Sequence, residues 1–404
     1  MPANLAESAR VAFDASFGSS SAAAFVARAP ARVELLGNHT DYNGGLVLAA
    51  AIDRATAVAG RRVEGPVARV RSANLDRLDT FDVEAVDLGP SGDWSRYVRG
   101  VALALAERPG SGGLVSGFEA AIVGDVPLGA GLSSSASLQA ALALFLLGSG
   151  VAPGGADLDD DARMELAKRL RHAENAYVGV NSGLLDHFST LFGRAGHALM
   201  LDCRTLEYDR LPLGDPAPAI VVCDSKTSRR LADGMYNLRR LECERVVDHF
   251  RAVRGPEAVQ LLRDVSQDDL DAAWDALDPV GRLRARHVLN ENERVRIGAD
   301  LLRSGDVAGF GALMSASHAS SRDDFANSSP ALDALVEAAE ASPGFLGGKL
   351  SGAGWAGCTV NLVRPDSADA FAESVAAIYA RTAGHPPLVH ICRADDGASV
   401  RTVG

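Results

Sequence analysis

Apolar runs broken by turn-prone clusters dominate the chain, and their period changes along it. Residues 24–36 and 46–58 are rich in valine, alanine and leucine and flank Asn43-Gly44-Gly45, which predicts two strands joined by a loop. A third strand is expected at 118–123, followed by the Gly-rich stretch GDVPLGAGLSSS and a helix over 136–147. Ala162, Leu166, Leu170, Ala173 and Tyr177 recur at spacings of three or four, predicting an amphipathic helix over 161–177. Strand-like segments follow at 198–203 and 219–223, and then a helical tract over 236–253. The last third alternates helices with strands, including 358–363 and 388–392. Hairpin-like pieces beside crossovers imply an α+β fold with mixed sheets rather than a doubly wound sheet.

Length refines this picture. At about 150 residues per domain, 404 residues favour two domains, and a boundary near residue 205 divides 1–205 from 206–404. With 47% apolar and 23% charged residues the chain is ordinary globular material, and 41 glycines and 17 prolines are too few for a fibrous or low-complexity protein. Five scattered cysteines without a C-x-x-C pair signal neither a disulfide framework nor zinc, which fits a reducing compartment. A net charge of −12 repels phosphate backbones and anionic lipid, so nucleic acid and membrane surfaces are not expected partners. No stretch approaches the ~18 apolar residues needed to span a bilayer. The N-terminal MPANLAESARVAFDASFG lacks the basic and apolar blocks of a signal peptide. A cytoplasmic location is expected, and no obligate protein partner is evident.

Four segments carry chemistry. In Pro127–Ala136, between a strand and a helix, glycines permit close backbone approach and serines can cap the helix. Its helix N-terminus presents unpaired N–H groups, which suits a phosphate, although a plain serine-capped turn has the same look. There is no Walker lysine. Gly352-Ala-Gly354-Trp-Ala-Gly357 matches G-x-G-x-x-G, but a strand-like CTVNLV follows where the dinucleotide fingerprint needs a helix. It reads as a Gly-rich turn, lining a pocket or closing a hairpin. The loop from Arg32 to Gly45 gathers hydrogen-bonding side chains suited to a polyhydroxylated ligand, or to a solvated hairpin. Glu174 and Asp186 flank a Gly-containing turn; one could ligate a metal while the other accepts a proton, or they are a helix-face and a capping carboxylate. The run Asp157–Asp161 lacks a calcium loop's glycine and glutamate and is expected at a helix N-terminus. His172 and His318 have no partners at ligand spacing and are read as structural.

Together these motifs resemble the galactokinases of the GHMP small-molecule kinase family. ARVELLGNHTDYNGG looks like the galactokinase sugar signature, VPLGAGLSSSAS like the phosphate loop and GGKLSGAGWAGCTV like the third motif, in the family's order. DWSRYVRGV, MYNLRRLEC, HVLNENERV and SHASSRDDFANSSPALD also fit, so the likeness runs from about Phe25 to Val363. The resemblance implies a two-domain fold with nucleotide and sugar in the interdomain cleft. It implies ATP and Mg2+ as cofactors and phosphorylation of a sugar's anomeric hydroxyl. By the same resemblance Asp186 is the catalytic base and Arg32 the arginine beside it. Ser135 and Glu174 match magnesium ligands. The phosphate cradle is Gly129, Ala130, Gly131, Leu132, Ser133, Ser134 and Ser135, with Trp94 against adenine. Asn38, His39, Asp41, Gly183 and Tyr236 fall at sugar-contact positions.

One departure bears on specificity. The family usually reads RVNLIGEH, whereas Glu34 and Asn38 have exchanged places here. The family's glutamate at position 38 accepts a hydrogen bond from the sugar's 6-hydroxyl. With asparagine there, a substrate bearing a 6-carboxylate, such as galacturonate, becomes admissible. If positions 34 and 38 touch, the exchange instead preserves a Glu–Asn hydrogen bond and the specificity with it. Ser182 and His187 also stand where cysteine and glutamine are common. A sensor that has lost turnover is the remaining alternative, set against an intact Ser133-Ser134-Ser135 and Asp186.

Overall fold

The computed structural model describes residues 5–18, 24–107, 113–127, 129–180, 182–227 and 234–403. Leu128 and Asn181, within two of the motifs, lie outside them. The larger sheet comprises β1 (Phe25–Leu36), β2 (Leu46–Val63), β3 (Val67–Ser72), β4 (Arg77–Asp82), β5 (Gly117–Gly124), β6 (His197–Asp202), β7 (Tyr208–Pro212) and β12 (Ser399–Thr402). Its order is β12-β1-β2-β5-β3-β4, with β6 joined to β2 and β7 to β6; β3 and β5 run parallel. A second, antiparallel sheet orders β8 (Ala219–Asp224), β9 (Phe345–Leu350), β10 (Cys358–Val363) and β11 (Leu388–Cys392) as β11-β8-β10-β9. Two sheets with separate helical layers make an α+β molecule, as the pattern implied. The strand after residue 205 still pairs within the larger sheet, and β12 returns to it. Backbone pairing of the larger sheet thus continues to Pro212, the second sheet begins at Ala219, and the chain's end crosses back.

Helices α2 (Ser95–Ala106), α3 (Ser134–Gly148), α4 (Asp160–Ala173) and α5 (Leu185–Phe192) bury one face of the larger sheet, while α1 (Leu5–Phe17) packs on the other. Expected elements end where backbone chemistry changes. The helix predicted over 161–177 stops at Ala173 and widens into a π-turn over Glu174–Val178, closed by Gly179 N–H to Glu174 C=O at 3.0 Å. Asp159 caps α4 by accepting from Ala162 N–H at 2.8 Å, so the acidic run serves a helix N-terminus.

Three features aim the chain at the cleft. The first is a bulge in the β1–β2 pairing between Pro30 and Ala31. Before it Ala27 and Ala29 pack under α2–α5; beyond it Ala31, Val33 and Leu35 enter a different core, shared with Ile220, Val222 and Val360 of the second sheet. Because side chains alternate along a strand, the bulge swings Arg32 and Glu34 to the side of α3 and α5.

The second is α8 (Pro279–Ser304), which packs with α6 (Met235–Arg254), α7 (Gln267–Ala273) and α9 (Val307–Ser320) and reaches the loop after β1. Its Glu291, fully buried, accepts through one oxygen from Gly37 N–H (3.0 Å), Asn38 N–H (3.1 Å) and the Ser317 hydroxyl (2.9 Å). The other oxygen takes Arg294 at 2.6 Å. His287 holds the Asn38 carbonyl at 3.0 Å and Asn292 accepts from Leu46 N–H at 2.7 Å. Burial would push Glu291 up, but His287 and the Arg294 guanidinium hold it below the ordinary carboxylate range.

The third is a π-turn over Ser321–Phe325 at the end of α9, which delivers Asn327 to Asn38 ahead of α10 (Pro330–Glu340); α11 (Ala368–Ala383) backs the second sheet with α10. Among the described residues no helix is long and apolar enough to cross a membrane.

Glu291→Ala strands three buried donors and the partly buried Arg294 at once, and is expected to lower unfolding free energy by about 3–5 kcal/mol in urea titration; a loss under about 1 kcal/mol would remove Glu291 from this role. His287 is buried with its pKa lowered to about 4, by desolvation first. A base whose folded pKa is depressed contributes stability fully present above its unfolded value of 6.5 and lost as pH falls toward 4. The stability advantage of wild type over His287→Gln should therefore shrink by about 1.4 kcal/mol per pH unit between these limits; a constant difference would contradict it.

Candidate active site

Arg32 ties three elements together. Its Nε and Nη2 donate to one oxygen of Asp186, at 2.8 and 2.6 Å, and its Nη1 donates to the Gly131 carbonyl at 2.7 Å. Its own backbone N–H reaches the Leu132 carbonyl at 3.2 Å. Strand β1, the loop before α3 and the first turn of α5 are thereby held in one geometry. Burial would raise the Asp186 carboxyl, but the Arg32 guanidinium and the neighbouring Ser133 hydroxyl hold it below the usual carboxylate range. Asp186 is ionised at neutral pH.

The loop is built to leave donors open. Gly129 and Gly131 have φ of 77° and 78°, and Ser133 adopts φ 56°, a left-handed conformation unusual for a residue with a Cβ. Ser133 stands at the N-cap of α3, yet neither its side chain nor another caps the helix, contrary to the expected serine cap. With no side-chain cap at this position, the first N–H groups of α3 remain free for an anion. Ser133, Ser134 and Ser135 line the cavity there.

That cavity, of about 550 Å³, collects fourteen of the sixteen site residues expected from sequence: all but Ala130 and Trp94. The Ala130 side chain is buried in the core shared by the two sheets, and its carbonyl accepts from the Cys358 thiol. Trp94 lines an adjoining cavity of about 250 Å³, which shares Tyr97, Ser134 and Ser135 with the first. The Gly352–Gly357 stretch is a hairpin turn between β9 and β10, and its Gly352, Ala353 and Gly354 line the main cavity.

Several expected sugar contacts are already committed. The Asn38 amide donates to Glu34 (2.9 Å) and the Gly352 carbonyl (2.9 Å), and its oxygen accepts from Asn327 (2.8 Å). Positions 34 and 38 do touch. His39 sits between Tyr42 (2.9 Å) and the Ala353 carbonyl (3.0 Å). A carbonyl only accepts, so Nε2 carries the proton and Nδ1 accepts from the Tyr42 hydroxyl. Burial lowers this histidine to about 3, which keeps it neutral. Gly183 packs against Asp41, whose carboxylate oxygen would lie 1.8 Å from any Cβ there. Asp41 is pushed up to about 6, by burial first and then by the charges of Glu34 and Asp186. Tyr236, opening α6, lies tilted against His39 at 5.3 Å and edge-on to Tyr42 at 5.4 Å, forming an aromatic wall.

Glu174 leaves the widened turn of α4 toward the same cavity, where Ser182 donates to it. Burial raises its carboxyl, partly offset by the hydroxyls of Ser182 and Ser135. A buried carboxylate beside a serine hydroxyl is a hard oxygen pair of the kind Mg2+ accepts, with water and phosphate completing the shell. No group of three or more histidine, cysteine or acidic side chains poised for a metal occurs among the described residues. His318 is buried 3.3 Å from Asp333, and the exposed His172 lies edge-on to Tyr177 at 5.7 Å, both away from the site.

Sequence reasoning passed over Lys349, Glu291 and Asn327. Glu291 had a signal: with Asn292 it interrupts the stripe Val288, Val295, Ala299, Leu302 on the buried face of α8. Lys349 had none, because an isolated lysine in FLGGKL reads as an edge residue facing solvent.

The chain is similar to known proteins along most of its length. The galactokinase galactose-binding signature matches residues 11–62, the GHMP kinases N terminal domain 96–194 and the GHMP kinases C terminal domain 299–381. A galactokinase of Roseiflexus sp. (strain RS-1) is 43% identical over 92% of each chain, and that of Homo sapiens 38% identical over 98% of this chain and 97% of its own. The crystal structure of Lactococcus lactis galactokinase complexed with galactose superposes with a TM-score of 0.87 at 33% identity, covering 96% of this chain and 98% of that one. A mevalonate kinase, at TM-score 0.62 and 16% identity over 91% of this chain and 98% of its own, shares the fold. A phosphate-type loop joined through one arginine to an ionised aspartate, matched along nearly its whole length to such relatives, places this chain in the galactokinase family of GHMP sugar kinases.

Proposed function

We propose that this chain transfers the γ-phosphoryl group of ATP to the anomeric hydroxyl of galactose. The observation that carries the reading is the shared guanidinium of Arg32, which sets Asp186 and the Gly131 carbonyl at fixed distances from one another. A sugar hydroxyl on Asp186 then faces phosphate oxygens on the N-terminus of α3, which is the positioning phosphoryl transfer demands. The sugar oxygen forms a bond to the γ-phosphorus while the bond to the bridging oxygen breaks; ADP leaves and Asp186 takes the proton. An aspartate held below its usual range is a weak base, so the proton moves only once the forming O–P bond has made the hydroxyl acidic. Arg32 offsets charge on the transferring group. Ser135 and Glu174 would hold Mg2+, which would neutralise charge on the phosphates. Trp94 offers an aromatic face for adenine in the adjoining cavity.

Asp186→Ala should lower kcat by about 10³-fold while the ATP dissociation constant changes less than about threefold. ADP release with galactose and calorimetry with a non-hydrolysable ATP analogue check both, and substantial turnover would sink the assignment. Tyr236→Ala removes one aromatic wall and should raise the galactose KM by about tenfold with a smaller effect on kcat; an unchanged KM would count against that contact.

A further inference from the structure

Three carboxylates line the cavity besides Glu174: Asp186 on Arg32, Asp41, and Glu34. Glu34 alone is anchored from both halves of the molecule. One of its oxygens accepts from Lys349 Nζ at 2.7 Å and from the Asn38 amide at 2.9 Å. Lys349 is fully buried, on β9 of the second sheet, so this ion pair crosses the cleft. Such a lysine is costly to bury unless its partner is fixed. The second oxygen of Glu34 accepts no hydrogen bond among the described residues and is not sealed from the cavity that the residue lines. Arg32 and Glu34 lie two residues apart on one face of β1, about 7 Å along the strand. That separation spans a hexopyranose from the anomeric oxygen near Asp186 to its far edge, at C4 and the hydroxymethyl arm.

We propose that Glu34, clamped by Lys349 and Asn38, is the specificity-determining acceptor for a hydroxyl at the far edge of the sugar, and that its charge excludes substrates carrying an anion there. This rests on the sugar-kinase reading. It also removes the opening for galacturonate that Asn38 by itself suggested. The carboxylate stands four residues earlier in the chain, on β1, and the Glu–Asn hydrogen bond keeps it at the same side-chain cluster. A charged acceptor made rigid by an ammonium and an amide discriminates strongly, because an analogue lacking the hydroxyl leaves it desolvated and unpaired.

The test compares galactose, 4-deoxygalactose, 6-deoxygalactose and galacturonate, each read twice, as KM in ADP release and as Kd by calorimetry. The wild type should disfavour galacturonate and one of the two deoxy sugars by about 10²-fold or more. In Glu34→Gln the galactose KM and Kd should rise about 10- to 100-fold, with discrimination against the deoxy sugar and galacturonate falling to within about threefold. The exchange Glu34→Asn with Asn38→Glu returns a carboxylate to the cluster and should restore both. Equal binding of all four sugars by the wild type overturns the proposal, as does Glu34→Gln with unchanged galactose constants. Absent turnover in the wild type with intact discrimination in Kd would instead remove the kinase reading and leave the role of Glu34 standing.

Discussion

A single guanidinium organises the chemistry of this protein. Arg32 is buried, and a buried arginine must have its donors satisfied or destabilise the fold that holds it. It is satisfied by Asp186 and by the carbonyl of Gly131, groups about a hundred or more residues distant that belong to two other elements. These two groups are thus located by the requirement to solvate one charge. Asp186 remains an anion despite its burial, and the loop before α3 cannot drift from it. The bulge between Pro30 and Ala31 is what turns Arg32 to that side of the sheet; with unbroken alternation it would face the core of the second sheet.

The two halves are joined by an apolar core and by a small set of buried polar groups above it. Leu35, Ile52, Val222, Phe310 and Val360 supply the non-directional part. Direction comes from Glu291, His287 and Asn327, which reach from the C-terminal half to the backbone and side chain of Asn38. Lys349 does the same for Glu34. The loop after β1 is therefore an N-terminal segment whose conformation is specified mainly by C-terminal residues. Its own chain supplies the turn geometry, with Gly37 at φ 92° pressed so close to Leu46 and Val47 that a Cβ would meet backbone at 2.5 Å.

Several polar residues that look like ligand contacts are structural supports first. His39 uses both ring nitrogens on Tyr42 and Ala353, and Asn38 uses its amide fully. The carboxylates of Asp186, Asp41 and Glu34 line the same cavity. Arg32 pairs with Asp186 and Lys349 with Glu34. Asp41 forms no ion pair among the described residues, and burial first, then the charges of Glu34 and Asp186, push its carboxyl up.

Local pattern determined much of this protein. The strands at 25–36, 46–63, 117–124 and 358–363, the helix following Ser133 and the acidic cap of α4 are set by alternation, helical period and capping chemistry, which act over a few residues. Ordered motifs, through the family resemblance they carry, named Arg32, Asp41, Glu174 and Asp186 as one expected site, and in the fold these four line one cavity. What tertiary structure alone decided are the features that depend on a partner far along the chain. A π-turn in place of helix at Glu174, a serine that fails to cap, Ala130 in the core and the β7 and β12 strands returning to the first sheet are of this kind. So are the burial of Glu291 and Lys349. A charged residue in a sequence carries no mark of whether its counter-charge lies across a cleft, and only the folded chain, by excluding water from both, makes the pair obligatory.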